Sequence, residues 1–263
     1  MVPVRASVWF DGPTPRVLAH RGLALDVPEN TTAAFAQAIA SGARWVETDV
    51  HATSDDVAVV SHDPDLGRLA GRDASVRDLT LAEVRLVRLE GGYEMPTLEE
   101  ALAAFPETCF NIDVKVAEAV GPTVEAVRRA GAEHRVLVTS FGQRIRRRVL
   151  AGLPGAVTSA SSLGVAVAVA LGVVPVTWLR RRLLARVLVG CRAVQVPERQ
   201  GPLRIVTRRR VRDLEAIGVE THVWTVNDPV AMRRLLDLGV HGIITDRADL
   251  ALAEVRAATA RAL

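Results

Sequence analysis

Short β-branched runs alternate with helical stretches along almost the whole chain, and that alternation restricts the fold more than any other feature. Strands are predicted at Val17–His20, Trp45–Val50, Val57–Ser61, Cys109–Val114, Val136–Ser140, Ala156–Ser159, Ala193–Val196, Glu220–Thr225 and Gly242–Thr245. Helices are predicted between them at Thr31–Ser41, Thr97–Phe105, Ala117–Ala130, Arg144–Leu150, Thr207–Ile217 and Pro229–Leu238. Repeated β-then-α units imply a parallel sheet with right-handed crossovers. The 263 residues suit a TIM-type (β/α)8 barrel, an α/β fold, as a single domain over 1–263. Nine strands are one too many, and the link from Val50 to Val57 is too short for a helical crossover. An irregular strand pair, one member a hairpin partner or an extension, is therefore expected near residues 45–61.

Composition excludes several classes. Hydrophobic residues make up 49% of the chain, too many for disorder. The two cysteines, Cys109 and Cys191, lack the spacing of a thiolate metal site or a disulfide framework. A net charge of +3, with only four Trp, one Tyr and five Phe, gives no basic groove with interleaved aromatics, so no nucleic-acid partner is expected. MVPVRASVWFDG carries no apolar run of the signal-peptide kind, and the expected location is cytoplasmic. Leu163–Leu179 is uncharged and followed by Arg180, Arg181 and Arg182. It is short, Ala/Gly-rich and interrupted by Pro175, which favours a buried or partly exposed helix over a membrane-surface helix or a span. Peripheral membrane contact through 163–182 is retained as an expectation. The Arg144–Arg148 and Arg208–Arg212 clusters read as solvated helix faces, with anionic headgroups as the sharper alternative.

Charged residues stand where strands end. Val17-Leu18-Ala19 runs into His20-Arg21-Gly22, Trp45-Val46 into Glu47-Thr48-Asp49, Val57–Val60 into Ser61-His62-Asp63, and Phe110-Asn111-Ile112 into Asp113-Val114-Lys115. Barrel enzymes gather their chemistry at those ends. Burying such groups costs several kcal/mol (roughly) unless they are paired or metal-bound. Glu47 and Asp49 share a strand face, as do Asp113 and Lys115. Three carboxylates in one pocket favour raised pKa values or a bound hard divalent cation, Mg²⁺ or Ca²⁺. The structural alternative is a salt-bridge network through Lys115. His20 and His62 add two imidazoles able to exchange protons near neutral pH, and Arg21 adds a fork that fits phosphate. His51 is read as a surface or interstrand residue, and His134 as a turn residue. His222 shares parity with Trp224 and could reach the pocket.

At these positions the chain resembles the glycerophosphodiester phosphodiesterase family, in the barrel superfamily of the phosphatidylinositol-specific phospholipases C. The matching blocks are Ala19–Gly22, Pro28–Thr31, Glu47–Val50, His62–Pro64, Met95–Glu100, Asn111–Lys115, Ser140-Phe141, Val223–Asn227 and Gly242–Asp246, in order over about 17–250. The resemblance implies His20 and His62 as the general acid/base pair and Glu47, Asp49 and Asp113 as metal ligands. It implies Arg21 and Lys115 on phosphate, Glu29 supporting the site or the substrate glycerol, and Trp224 lining the pocket, with Phe141 a weaker candidate. The implied reaction is metal-dependent hydrolysis of small glycerophosphodiesters to glycerol 3-phosphate and an alcohol. The alternatives are a phospholipase D-like enzyme on lysophospholipids and a non-catalytic barrel binding phosphometabolites. Three features depart from the family pattern. Asp113 stands where many members carry Glu, although the sphingomyelinase D branch uses Asp there. Residues 163–189 match no family motif, and His241 replaces a common Asp in a structural role.

Overall fold

The structure, a computed structural model, describes residues 6–262; residues 1–5 of the N-terminal stretch and the last residue of the 1–263 domain lie outside the described residues. In chain order the elements are β1 (Arg16–His20), α1 (Thr32–Ala40), β2 (Trp45–Ala52), β3 (Ala58–Val60), the one-turn helices α2 (Gly67–Ala70) and α3 (Leu81–Val84), α4 (Leu98–Ala104), β4 (Cys109–Val114), α5 (Val120–Arg129), β5 (Val136–Thr139), α6 (Gln143–Gly152) and β6 (Val157–Thr158). They continue with α7 (Ser162–Ala170), α8 (Thr177–Val187), β7 (Ala193–Pro197), β8 (Arg199–Gln200), β9 (Leu203–Arg204), α9 (Arg208–Glu215), β10 (Glu220–Trp224), α10 (Pro229–Leu238), β11 (Gly242–Thr245) and α11 (Ala248–Ala262).

Eight parallel strands run in the order β6-β5-β4-β2-β1-β11-β10-β7, and a parallel bridge from Ser159 to Ala193 brings the ends together. This is the (β/α)8 barrel expected from the alternation. The ninth strand, β3, pairs antiparallel with β2 and is the hairpin partner that the short Val50–Val57 link requires. Residues 61–97 follow β3 as an excursion with a small core of its own, built on Leu66, Val76, Leu79, Val84 and Met95. The chain then returns through α4 to β4.

Local chemistry sets the helix ends. Thr31 caps α1 by accepting from the Ala34 amide, and Thr97 forms a reciprocal capping box with Glu100 on α4. Asp228 caps α10 with Pro229 at its first turn, and Gly239 ends it in the left-handed region. Strand alternation separates two apolar layers. Val17, Ala19, Val46, Phe110 and Ile112 face outward against the helices. Leu18, Trp45, Cys109, Leu137 and Ile244 face the barrel axis, and Trp9 fills its lower end. The Trp9 indole donates to the Phe110 carbonyl at 3.1 Å, and the Trp45 indole donates to the Trp9 carbonyl at 2.9 Å. The sequence offers no signal for this N-terminal plug.

The apolar run 163–179 forms two helices rather than one, α7 and the start of α8, separated at Pro175. Among the described residues no helix is long and apolar enough to cross a membrane. Two arginines of the clusters read as solvated faces turn inward instead. Arg146 reaches Thr158 Oγ1 and Cys191 Sγ, and Arg210 donates to the carbonyls of Arg204 and Ile205.

Candidate active site

Register brings the polar strand ends into two adjacent rows. His20 pairs with Glu47, Glu47 with Asn111, and Asp49 with Asp113 across β1, β2 and β4. All face the axis, because alternation has already sent their neighbours outward. Their side chains, with His62, Lys115, Phe141, Gln195 and Trp224, line a cavity of about 630 Å³ at the C-terminal mouth of the barrel.

The turn after β1 is tight. Arg21 and Gly22 both have positive φ, and the Arg21 amide donates to the Glu47 carbonyl at 2.9 Å. A Cβ on Gly22 would lie 2.6 Å from the Ala34 backbone. Gly22→Ala is therefore expected to destabilise the fold by about 2 kcal/mol through strain and clash. The check is thermal melting, where a drop of ~4–8 °C is expected. An unchanged melting temperature would show that the turn relaxes freely.

Each catalytic-type imidazole holds a carboxylate on Nδ1. His20 Nδ1 lies 2.6 Å from Asp246 Oδ1, and His62 Nδ1 lies 2.7 Å from Asp63 Oδ1. An ionised carboxylate accepts only, so the proton sits on Nδ1 and Nε2 is left free toward the cavity. Burial works against the protonated form of His20, but the hydrogen bond to Asp246 and the Glu47 charge outweigh it and raise its pKa. Asp246 is itself fixed by the Asn227 side chain at 2.7 Å. On the other flank Arg68 bridges Asp63 and Glu29, both at 2.6 Å, and Arg21 reaches the same Glu29 oxygen at 2.9 Å. Glu29 thus sits at the rim holding two guanidinium groups, while helix capping falls to Thr31.

Lys115, just past the end of β4, has its Nζ 2.6 Å from Asp49 Oδ1 and 2.7 Å from Asp113 Oδ2. Asp49 also accepts from Asn30 at 3.1 Å, and Arg21 Nε lies 3.3 Å away. Burial alone would raise the Asp49 pKa, but Lys115 and Arg21 hold it below the usual carboxylate range. Glu47 has no such partner: burial and the Asp49 charge push its pKa up to about 8. Burial likewise raises Asp113. Among the described residues no three His, Cys, Asp or Glu are gathered at ligand spacing, since the Lys115 ammonium lies between Asp49 and Asp113. The salt-bridge network weighed from the sequence is therefore present. Yet Glu47 Oε2 and Asp113 Oδ1 are buried with no hydrogen-bond partner. Two orphan carboxyl oxygens beside Asp49 fit a hard cation, whose preferred ligands are carboxylates.

His20, Arg21, Glu47, Asp49, His62, Asp113, Lys115 and Trp224 all line the cavity, and Glu29 stands at its rim. Trp224 is half-buried and meets Phe141 edge-on at 6.3 Å. His222 does not reach the cavity. It is fully buried lower in the barrel, 2.9 Å from Glu220 Oε2. His51 corrects the reading made of it: residues 47, 49 and 51 share parity, His51 is buried, and its Nε2 lies 3.3 Å from the His62 carbonyl. Sequence reasoning missed Asn30, Asp63, Arg68, Asn227 and Asp246. Asp63 and Asp246 lay inside quoted motif blocks, so a search for carboxylate partners of the two histidines would have found them. Arg68 had no comparable signal.

Known proteins resemble this chain over most of its length. Residues 20–250 match the family described as the glycerophosphoryl diester phosphodiesterase family. The chain is 41% identical over 240 residues to a Mycobacterium tuberculosis protein named probable glycerophosphodiester phosphodiesterase 2, covering 89% of this chain and 88% of that one. It is 28% identical to human lysophospholipase D GDPD1, over 87% and 82% of the two chains. Among solved structures, the Thermotoga maritima glycerophosphodiester phosphodiesterase superposes with a TM-score of 0.68 at 27% identity, covering 90% and 96%. An Oleispira antarctica phosphodiesterase in complex with the product sn-glycerol-3-phosphate shares the fold, with a TM-score of 0.74 at 22% identity over 92% and 97%.

Proposed function

The chain belongs to the glycerophosphoryl diester phosphodiesterase family, and on that footing we propose that it hydrolyses glycerophosphodiesters to glycerol 3-phosphate and an alcohol, using His20 and His62 for proton transfer. One observation carries this reading: two imidazoles, each held through Nδ1 by a carboxylate, open their free nitrogens onto a cavity that Lys115 and Arg21 also line. One imidazole takes a proton from the attacking water as its oxygen bonds to phosphorus. The other protonates the leaving alcohol oxygen as the P–O bond breaks. Arg21 and Lys115 offset the phosphoryl charge through fixed donors. Asp246 and Asp63 keep each ring in the tautomer that leaves Nε2 available.

Glu47 and Asp113, through their unpartnered oxygens, together with Asp49, would hold a divalent cation, Mg²⁺ or Ca²⁺. Such an ion supplies charge stabilisation at the phosphoryl oxygens and acidifies a bound hydroxyl. Burial, with the Asp49 charge beside it, pushes the Glu47 pKa up to about 8, and a cation held there would favour the ionised form.

The test is release of glycerol 3-phosphate from glycerophosphocholine, before and after EDTA, then with Mg²⁺ or Ca²⁺ restored. Release is expected to fall to background with chelator and to return with metal. Full activity in EDTA would remove the metal from the reading and leave Lys115 and Arg21 to offset the phosphoryl charge.

The cavity wall supports a second substrate class. Val165, Ala166, Val169, Leu203 and Ile205 form an apolar side to a cavity whose opposite side is charged. A lysophospholipid could lay its acyl chain there and its phosphate against Arg21. Equal or faster turnover of lysophosphatidylcholine than of glycerophosphocholine would favour this reading, and no turnover of the lipid would dismiss it.

A further inference from the structure

The α7–α8 pair carries an exposed surface that runs outward from the cavity wall at Ala166. On α7 the exposed residues Leu163, Ala166, Val167 and Ala170 recur at spacings of three and four, the signature of one helix face. Leu163 is 63% exposed, and the stripe continues through Val173 at 84% and Val176 at 43% to Trp178 at 66%. Exposed apolar side chains of this size are unusual when they adjoin one another. α7 and α8 pack on each other and on the turn between them, so the stripe is carried by one unit.

The other half of the surface is charge. On α8, Trp178, Arg182 and Arg186 follow at intervals of four and are exposed, while Arg180 and Leu184 turn inward. Arg180 and Arg181 are committed to Asp213, at 2.7 and 2.9 Å. Arg182 and Arg186 have no acidic partner among the described residues. Between Glu133 and Glu198 the chain carries ten arginines and no acidic residue. We propose that the α7–α8 face docks on an anionic phospholipid bilayer, with Leu163, Val167, Val173 and Trp178 entering the interface and Arg182 and Arg186 meeting the headgroup phosphates.

An apolar stripe edged by unpaired guanidinium groups, with Trp at the boundary, is the composition that lies in a bilayer interface. A second copy of the chain would complement it poorly. Two-fold contact would bring the same arginines together, and the strip holds no acid to offset them. The position also matters. The Ser162 amide donates to the Phe141 carbonyl at 3.3 Å, and Val165, Ala166 and Val169 wall the catalytic cavity. A docked α7 therefore sets the cavity mouth beside the lipid.

The experiment is co-sedimentation of the full chain with vesicles of phosphatidylcholine and phosphatidylglycerol in equal parts, against phosphatidylcholine alone. Binding to the mixed vesicles is expected at about 0.1 M NaCl and should weaken sharply at about 0.5 M, where surface charge is screened. Arg182→Gln with Arg186→Gln should lower the partition coefficient on the order of twenty-fold, about fivefold per arginine. Trp178→Ala should lower it about tenfold through lost apolar burial. Equal binding to both vesicle types, or none to either, would overturn the proposal. So would a concentration-dependent dimer in sedimentation velocity that Trp178→Ala dissolves, since the face would then be covered by a second copy. The salt dependence of the unaltered chain tests the idea without any variant, and circular dichroism melts establish that the variants fold.

Discussion

His20→Ala is expected to lower kcat for glycerophosphocholine hydrolysis by about 10²–10⁴-fold, the range lost with a positioned general acid or base. His20 ends β1, its Nδ1 is held at 2.6 Å by Asp246, and its Nε2 stands 3.9 Å from Glu47 Oε2. No other imidazole can take its place. His62 belongs to the opposite flank with its own carboxylate, and His51 does not line the cavity, its Nε2 being held at the His62 carbonyl. His62→Ala should cost a similar factor, and the double variant should cost far less than the product of the two, because residues acting in one step are not additive. Asp246→Asn keeps the shape but lets the amide present a donor to Nδ1, so the wrong tautomer is favoured. Its loss should fall in kcat while KM stays near the original. The variants should melt with the parent, since His20 packs at a solvent-lined mouth rather than in the core. A His20→Ala protein retaining more than about a tenth of its activity would refute the assignment.

Glu220→Gln is expected to be the most costly single change for stability, about 3–5 kcal/mol, because it leaves a buried guanidinium short of charge compensation. Arg16 is 2% exposed, and its Nε and Nη2 each donate to Glu220 at 2.9 Å, with Nη2 also on the Phe10 carbonyl. His222 shares Glu220 from inside the barrel. Burial would raise the Glu220 pKa, but the bonds from His222 and Arg16 bring it down to about 2. Burial also lowers His222 below its ordinary 6.5, against the pull of Glu220. Both groups therefore hold protons less firmly folded than unfolded, and both make stability rise with pH. The Glu220 contribution is complete above 4.5 and is lost as pH falls toward about 2. The His222 contribution is lost as pH falls below 6.5. Urea unfolding from pH 7 to 3 should show a steep acid loss for the parent and a flatter one for Glu220→Gln. At pH 7 the variant should melt on the order of 10 °C lower. Matching melting temperatures would mean that the Arg16 pair contributes nothing beyond its replacement.

Much of the fold and much of the site could be read from residue order. β4, α10 and β11 fall where the pattern of β-branched and amphipathic residues places them. The antiparallel β3 followed from a chain-length argument, since the link after Val50 cannot span a helical crossover. α11 was not anticipated, and the same signal would have found it: Leu250, Ala251, Val255 and their neighbours repeat at helical spacing. His51 was misplaced by a slip in parity that β2 itself corrects. The partners Asp246 and Asn227 follow β11 and β10, and Arg68 comes from the excursion after β3. Each lies far from His20 or Glu29 in sequence, and no periodicity links them.

Residue order alone decided which side chains face the barrel axis, because alternation is a property of the extended chain, and which types of group gather at the strand ends. It could not decide which charges pair. Ion pairing depends on distances of 3–4 Å across strands brought together by register, and the same three carboxylates could have ringed a cation or enclosed Lys115. The packed barrel places the ammonium between Asp49 and Asp113 and leaves Glu47 Oε2 and Asp113 Oδ1 unpartnered. It also decides that the apolar run 163–179 turns one face to the cavity and the other outward, a division that hydropathy cannot make because both faces are equally apolar.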